Sequence, residues 1–137
     1  MFNVKGFVNC VKQEVFEYVC ECKHVYTYMP KIQIIDELYE TEGGLVTACY
    51  SKNKQTIFIF TKSILKAINS DKYECLSDNI QLFIINSLAH EMTHYLQHTN
   101  NESFNMFDDY RNRAHEIEAF EIGDLVMNKM NELYQIA

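Results

Sequence analysis

A chain of 137 residues with a formal charge of −7 has the size of one domain, and its acidity excludes a phosphate-tracking surface, which needs clustered Lys and Arg. Its 47% hydrophobic and 13% aromatic residues, with only four Gly and one Pro, exclude a disordered or fibrous protein. The opening MFNVKGFVNCVKQE meets charged residues too soon to hold a signal-peptide core, and no apolar run could span a bilayer. One domain over 1–137 is therefore expected in the cytoplasm, with neither membrane nor nucleic acid as partner.

Residues 7–23 carry Val8, Val11, Val15, Val19 and Cys22 at helical intervals, with Lys12, Glu14, Glu17 and Glu21 between them, which predicts an amphipathic first helix. Pro30 ends that pattern. KIQIIDEL then puts Ile32 and Ile34 on one face, as in a half-buried strand. Gly43 and Gly44 mark a turn, and LVTACYS (45–51) and TIFIF (56–60), joined by polar residues, read as a hairpin that completes a sheet of about three strands. The remainder reads as helical: a short piece over 62–69, a long helix from near Asp78 to His98, and a last one from near Asp109, with Asp108 or Asp109 as N-cap. The fold class expected is α+β.

Five cysteines, Cys10, Cys20, Cys22, Cys49 and Cys75, are odd in number and unevenly spread, which fits reduced thiols better than a disulfide framework. Cys20, Cys22 and His24 have the wrong spacing for a zinc knuckle and read as helix thiols. Lys52, Lys54, Lys62 and Lys66 form the one basic concentration, interrupted by Ile57–Phe60, and read as a solvated rim.

The chemistry concentrates in LAHEMTHYLQH, residues 88–98. Residues four apart on a helix stand one above the other, so His90 and His94 can aim at one ion, and Glu91 is turned by about 100° from His90. His-Glu-x-x-His thus offers two metal ligands and a general base in one turn. The plainer reading is two hydrogen-bonded histidines on an amphipathic helix, and the apolar Leu82–Ile85 and Leu88 before them favour a core helix instead. A catalytic zinc needs a third protein ligand. His98 lies about 12 Å along the axis from His90 if the helix is unbroken, and no glycine intervenes to turn the chain back. The next helix, RAHEIEAFEIGD, supplies His115, Glu116, Glu118, Glu121 and Asp124.

HEMTHYLQH followed by YRNRAHEIEAFEIG resembles the minimal gluzincin metallopeptidases, which include ImmA/IrrE-like proteins and small phage or mobile-element relatives. The resemblance extends back to TACYSKNKQTIFIF and covers roughly residues 45–125. It implies a zincin-like domain in which an N-terminal helix and a small sheet precede an active-site helix and a C-terminal ligand helix. It places the family's Glu-x-(Glu/Asp)-Ala signature on Glu116, Ile117, Glu118 and Ala119, making Glu116 the third zinc ligand with Glu118 in reserve. Several relatives carry Asn or Asp four residues beyond that Glu, where this chain has Phe120, so support for the ligand histidines must come from elsewhere.

The function expected is a zinc-dependent metallopeptidase acting on a peptide or a specific partner protein. Zn²⁺ held by His90, His94 and Glu116 would acidify water there, and Glu91 would take the water's proton and deliver it to the leaving amine. The TIFIF strand is expected to receive an extended substrate by strand addition. Tyr95, His98, Tyr110, Arg111 and His115 are candidates for stabilising the oxyanion, with Tyr110 preferred for its place before the ligand helix. The alternative is a catalytically silent zincin scaffold, a phage or mobile-element factor that contacts a host protein. An intact Glu91 speaks against it.

Overall fold

The computed structural model describes residues 2–69, 79–104, 106, 109–110 and 113–137. Asp78, Asp108, Arg111 and Cys75, named above as helix start, N-cap, oxyanion candidate and thiol, lie outside the described residues.

Helix α1 runs Val4–Lys23, three residues earlier than the apolar spacing implies. Asn3 sets the start: its side chain accepts from the Gly6 N–H at 2.9 Å, satisfying one of the first-turn donors. A Cβ at Gly6 would stand 2.7 Å from Asn3 Nδ2, so a larger residue there would make the Asn3 side chain shift. At the other end His24 adopts a left-handed φ of 55° and its N–H returns to Cys20 and Glu21 carbonyls. Val4, Val8, Val15, Phe16, Val19 and Cys20 are buried, whereas Cys22 is exposed, so the apolar stripe passes through Cys20.

The sheet has the order β1 (Lys31–Ile35), β5 (Thr56–Phe60), β4 (Ala48–Ser51). Strand β1 pairs parallel with β5, matching Ile32 to Ile57 and Ile34 to Ile59, and β4 pairs antiparallel, matching Cys49 to Phe58 and Tyr50 to Ile57. The hairpin expected from 45–60 is therefore present. TIFIF is its central strand, however, hydrogen-bonded on both sides, and cannot accept a further strand. The edge beside the helices belongs to β4. A separate two-stranded ribbon, β2 (Glu40–Thr41) with β3 (Gly44–Leu45), turns through Glu42 and Gly43, and Gly44, which opens β3, has a φ of 116° that suits glycine. Helix α2 (Thr61–Ile68) follows β5 directly, and Thr61 Oγ1 donates to Asp36 Oδ1 at 2.6 Å, tying it to the end of β1.

Helix α3 spans Ile80–Thr99, capped by Asn79, whose side chain accepts from the N–H groups of Gln81 and Leu82. Ile84, Ile85, Leu88, Ala89, Met92 and Leu96 are fully buried, so the helix is apolar nearly all round and runs through the core. Helix α4 (Ala114–Tyr134) packs along it, and α1 and the sheet's Ile57 and Ile59 join the same apolar cluster. Its start at Ala114 falls five residues after the expected Asp109. Among the described residues the architecture is α+β, four helices around a small mixed sheet. Among the described residues, no helix is long and apolar enough to cross a membrane.

Candidate metal centre

Because α3 is unbroken, His90 and His94 project from successive turns, and because α4 lies against them, Glu116 in its first turn meets both. His90 Nε2 and His94 Nε2 each stand 2.9 Å from Glu116 Oε1 and 3.2 Å from each other. All three side chains are buried. Donor atoms around a tetrahedral zinc with ligand bonds of about 2.0–2.1 Å are spaced by about 3.3 Å. The observed triangle lies within a few tenths of an ångström of that, and His90, His94 and Glu116 are the group among the described residues that could hold a metal ion.

Protonation strengthens the fit. Gln97 Nε2 donates to the His115 carbonyl and to Glu118 Oε1, each at 2.9 Å, which uses both amide hydrogens and fixes the amide's orientation. Gln97 Oε1 then faces His94 Nδ1 at 2.8 Å and must accept, so His94 carries hydrogen on Nδ1 and, when neutral, a lone pair on Nε2. That lone pair is aimed at a carboxylate oxygen, a contact that only a cation or a proton between them makes favourable. The partner that Phe120 does not supply to a ligand histidine is therefore Gln97. Phe120 instead packs its ring against His90, with centroids 4.6 Å apart.

Charge follows the same geometry. Burial opposes ionisation of Glu116, but hydrogen bonds and charge from His90 and His94 outweigh it and hold the carboxyl well below the usual carboxylate range. Burial alone would lower His94, yet Glu116 and Glu91 raise it. Glu91 moves the other way: burial pushes its carboxyl up, opposed by His90 and His94. The backbone N–H of Tyr50 on β4 also turns to Glu91.

Glu91, His94 and Glu116 line one cleft of about 460 Å³ with Ala48, Cys49, Tyr50 and Lys52 from the β4 side and Phe104, Tyr110 and His115 from the α4 side. His115 stacks on Phe104 at 4.5 Å, and Lys52 Nζ sits 3.6 Å over that ring. Tyr110 is half-exposed in the cleft, its hydroxyl raised above the ordinary value by burial, by the charge of Glu116 and Glu91, and by a hydrogen bond to Glu116.

Of the oxyanion candidates, Tyr110 and His115 reach the cleft. Tyr95 turns away and donates to the Tyr28 carbonyl at 2.8 Å, and His98 pairs through Nδ1 with the Tyr50 hydroxyl at 2.7 Å. Glu118 faces Gln97 and Lys23 rather than the triangle, Glu121 is exposed, and Asp124 accepts from Asn86. Cys20, Cys22 and His24 form no candidate metal group among the described residues. Gln97, Phe104 and Cys49 were not legible as site residues: only the amide three positions after His94 hinted at the first. No family model, curated protein or solved structure matches the chain.

Proposed function

We propose that the protein is a zinc-dependent peptidase of the gluzincin type, acting on an extended peptide segment. The observation that carries this reading is the meeting of two imidazole Nε2 atoms and one carboxylate oxygen within about 3 Å, with Glu91 in the same cleft. Two imidazoles and one carboxylate suit zinc better than the hard cations, which prefer all-oxygen sites. Zinc there would polarise a carbonyl and lower the pKa of water beside it.

The chain's own residues do the rest. Glu91, whose carboxyl is raised by burial, is placed to accept the proton of an attacking water and to return it to the amine as the C–N bond breaks. Tyr110 in the cleft is the group to donate a hydrogen bond to the developing oxyanion. The substrate docks on β4, not on TIFIF. Thr47 O accepts from Phe60 N, so by antiparallel alternation Ala48 and Tyr50 turn their backbone groups outward, to the open side. With the Tyr50 N–H given to Glu91, the Ala48 N–H and the carbonyls of Ala48 and Tyr50 remain for an added strand.

Glu91→Gln in zinc-loaded protein separates this reading from a silent binding scaffold. Incubated with a peptide library, the native protein is expected to release new amino termini and the variant to lose at least about a hundredfold in rate with its zinc unchanged. Biological function that survives in Glu91→Gln would leave the scaffold reading standing and remove this one.

A further inference from the structure

Lys23 ends α1, on the far side of Gln97 from the triangle, yet its side chain is only 6% exposed. Its Nζ donates to Glu102 Oε1 and to Glu118 Oε1, both at 2.7 Å. Glu118 Oε1 is the same oxygen that accepts from Gln97 Nε2 at 2.9 Å, and Gln97 Oε1 is the acceptor of His94 Nδ1 at 2.8 Å. One continuous chain of hydrogen bonds therefore joins an ammonium on α1 to an imidazole of the triangle on α3, passing through α4.

We propose that Lys23 is a positioning residue of the metal centre, which through Glu118 and Gln97 holds His94 in the tautomer that leaves Nε2 free to ligate. The inference rests on the reading of His90, His94 and Glu116 as metal ligands. Its physical basis is a competition between two arrangements of the Gln97 amide. In the observed one, Oε1 accepts from His94 and both Nε2 hydrogens are used. In the flipped one, Nε2 would donate to His94 Nδ1, moving the imidazole hydrogen to Nε2, where it would bond Glu116 Oε1 and occupy the lone pair a metal needs. The flip is opposed because it sets the amide oxygen against the His115 carbonyl and the Glu118 carboxylate. Glu118 is 39% exposed and would turn toward water without its ammonium partner. Lys23 keeps that carboxylate in place, and the carboxylate keeps the amide oriented. With Gln97 1% exposed, no bulk water stands in for a lost partner.

This relay and simple electrostatics differ in sign. Removing a positive charge from the neighbourhood of a divalent cation strengthens its binding by Coulomb's law. Removing the last link of the relay weakens it. In the full chain, Lys23→Met is expected to lower zinc affinity about tenfold, measured by competition with a chromophoric chelator, and Gln97→Leu to lower it about 10–100-fold. Combined, the two should cost no more than Gln97→Leu alone, since Lys23 acts through the amide, and Lys23→Arg should recover most of the loss.

A second readout needs no metal. In zinc-free protein at a pH where the ring is neutral, Glu116 favours hydrogen on His94 Nε2 and the Gln97 amide favours it on Nδ1, so the ¹⁵N shifts of the imidazole should report a larger population with hydrogen on Nδ1 in the native chain than in Lys23→Met. Should Lys23→Met fail to fold, Glu118→Ala breaks the same link from a side chain that already reaches solvent, and the same tautomer shift is expected. Unchanged or tighter zinc binding in Lys23→Met, strictly additive losses in the double variant, or an unmoved tautomer would overturn the relay. A native chain that takes up no zinc contradicts the metal reading instead, and the tautomer experiment still decides whether the relay exists.

Discussion

Glu116 gives a single oxygen, Oε1, to both histidines, while its Oε2 stands 3.6 Å from His115 Nε2. That division is what a monodentate ligand requires, and it could not be read from the sequence. Positions 116 and 118 are two residues apart on a helix, hence about 200° apart around its axis, so which of them faces α3 depends on how α4 is rotated. His90, Glu91 and His94 were legible because their spacing lies within one helix and needs no knowledge of packing. Gln97 was hidden for the opposite reason: its importance comes from partners on α4, Glu118 and the His115 carbonyl. Tyr110 was legible only as a tyrosine near the ligand helix, and its place in the cleft gives it a separable test. Tyr110→Phe is expected to lower kcat by about 10²–10³ with zinc content and KM nearly unchanged, as for loss of one oxyanion donor. Full kcat in that variant would return the role to His115.

The centre depends on how closely α4 lies on α3. Gly123 faces Asn86 across this contact: a Cβ there would come 3.3 Å from the Asn86 carbonyl oxygen, already tight, and Asn86 Nδ2 donates to Asp124 Oδ1 at 2.9 Å beside it. Gly123→Val, whose branched side chain reaches further, is expected to destabilise by about 1–3 kcal/mol in urea unfolding and to weaken zinc binding by shifting Glu116 off the triangle. A variant with native stability and affinity would show that the approach has slack. Elements themselves were largely legible. The apolar period identified α1 because it buries one stripe, whereas α3 and TIFIF stood out as continuous apolar runs because both are buried nearly all round. Strand order was not: TIFIF is central because β1 pairs with it in parallel, a long-range choice that no local pattern in KIQIIDEL announces. The edge role therefore passes to β4. The start of α4 was missed because Asp109 reads as an N-cap, whereas the helix begins at Ala114 after Arg113, with no side-chain cap.

Across the described residues, one apolar cluster links α1, the sheet, α2, α3 and α4, and the three candidate ligands are buried polar groups at its border. Metal binding should therefore act on folding as a whole. A ligand held only by the native state, at about a thousand times its Kd, adds about 4 kcal/mol, so zinc-loaded protein should melt on the order of 10 °C above protein treated with a chelator. Equal melting temperatures would mean that the triangle holds no metal in solution. The overall acidity was legible and remains consistent with a cleft whose own charges, Glu91 and Glu116 against Lys52 and Arg113, are local matters of packing. The most direct test is elemental analysis of protein purified without added metal, comparing the native chain with His94→Ala and Glu116→Ala. About one zinc per native chain, lost in both variants, is the result expected of a three-ligand site. Absence of metal from the native chain even after zinc is supplied, or zinc retained when Glu116 is removed, would contradict it.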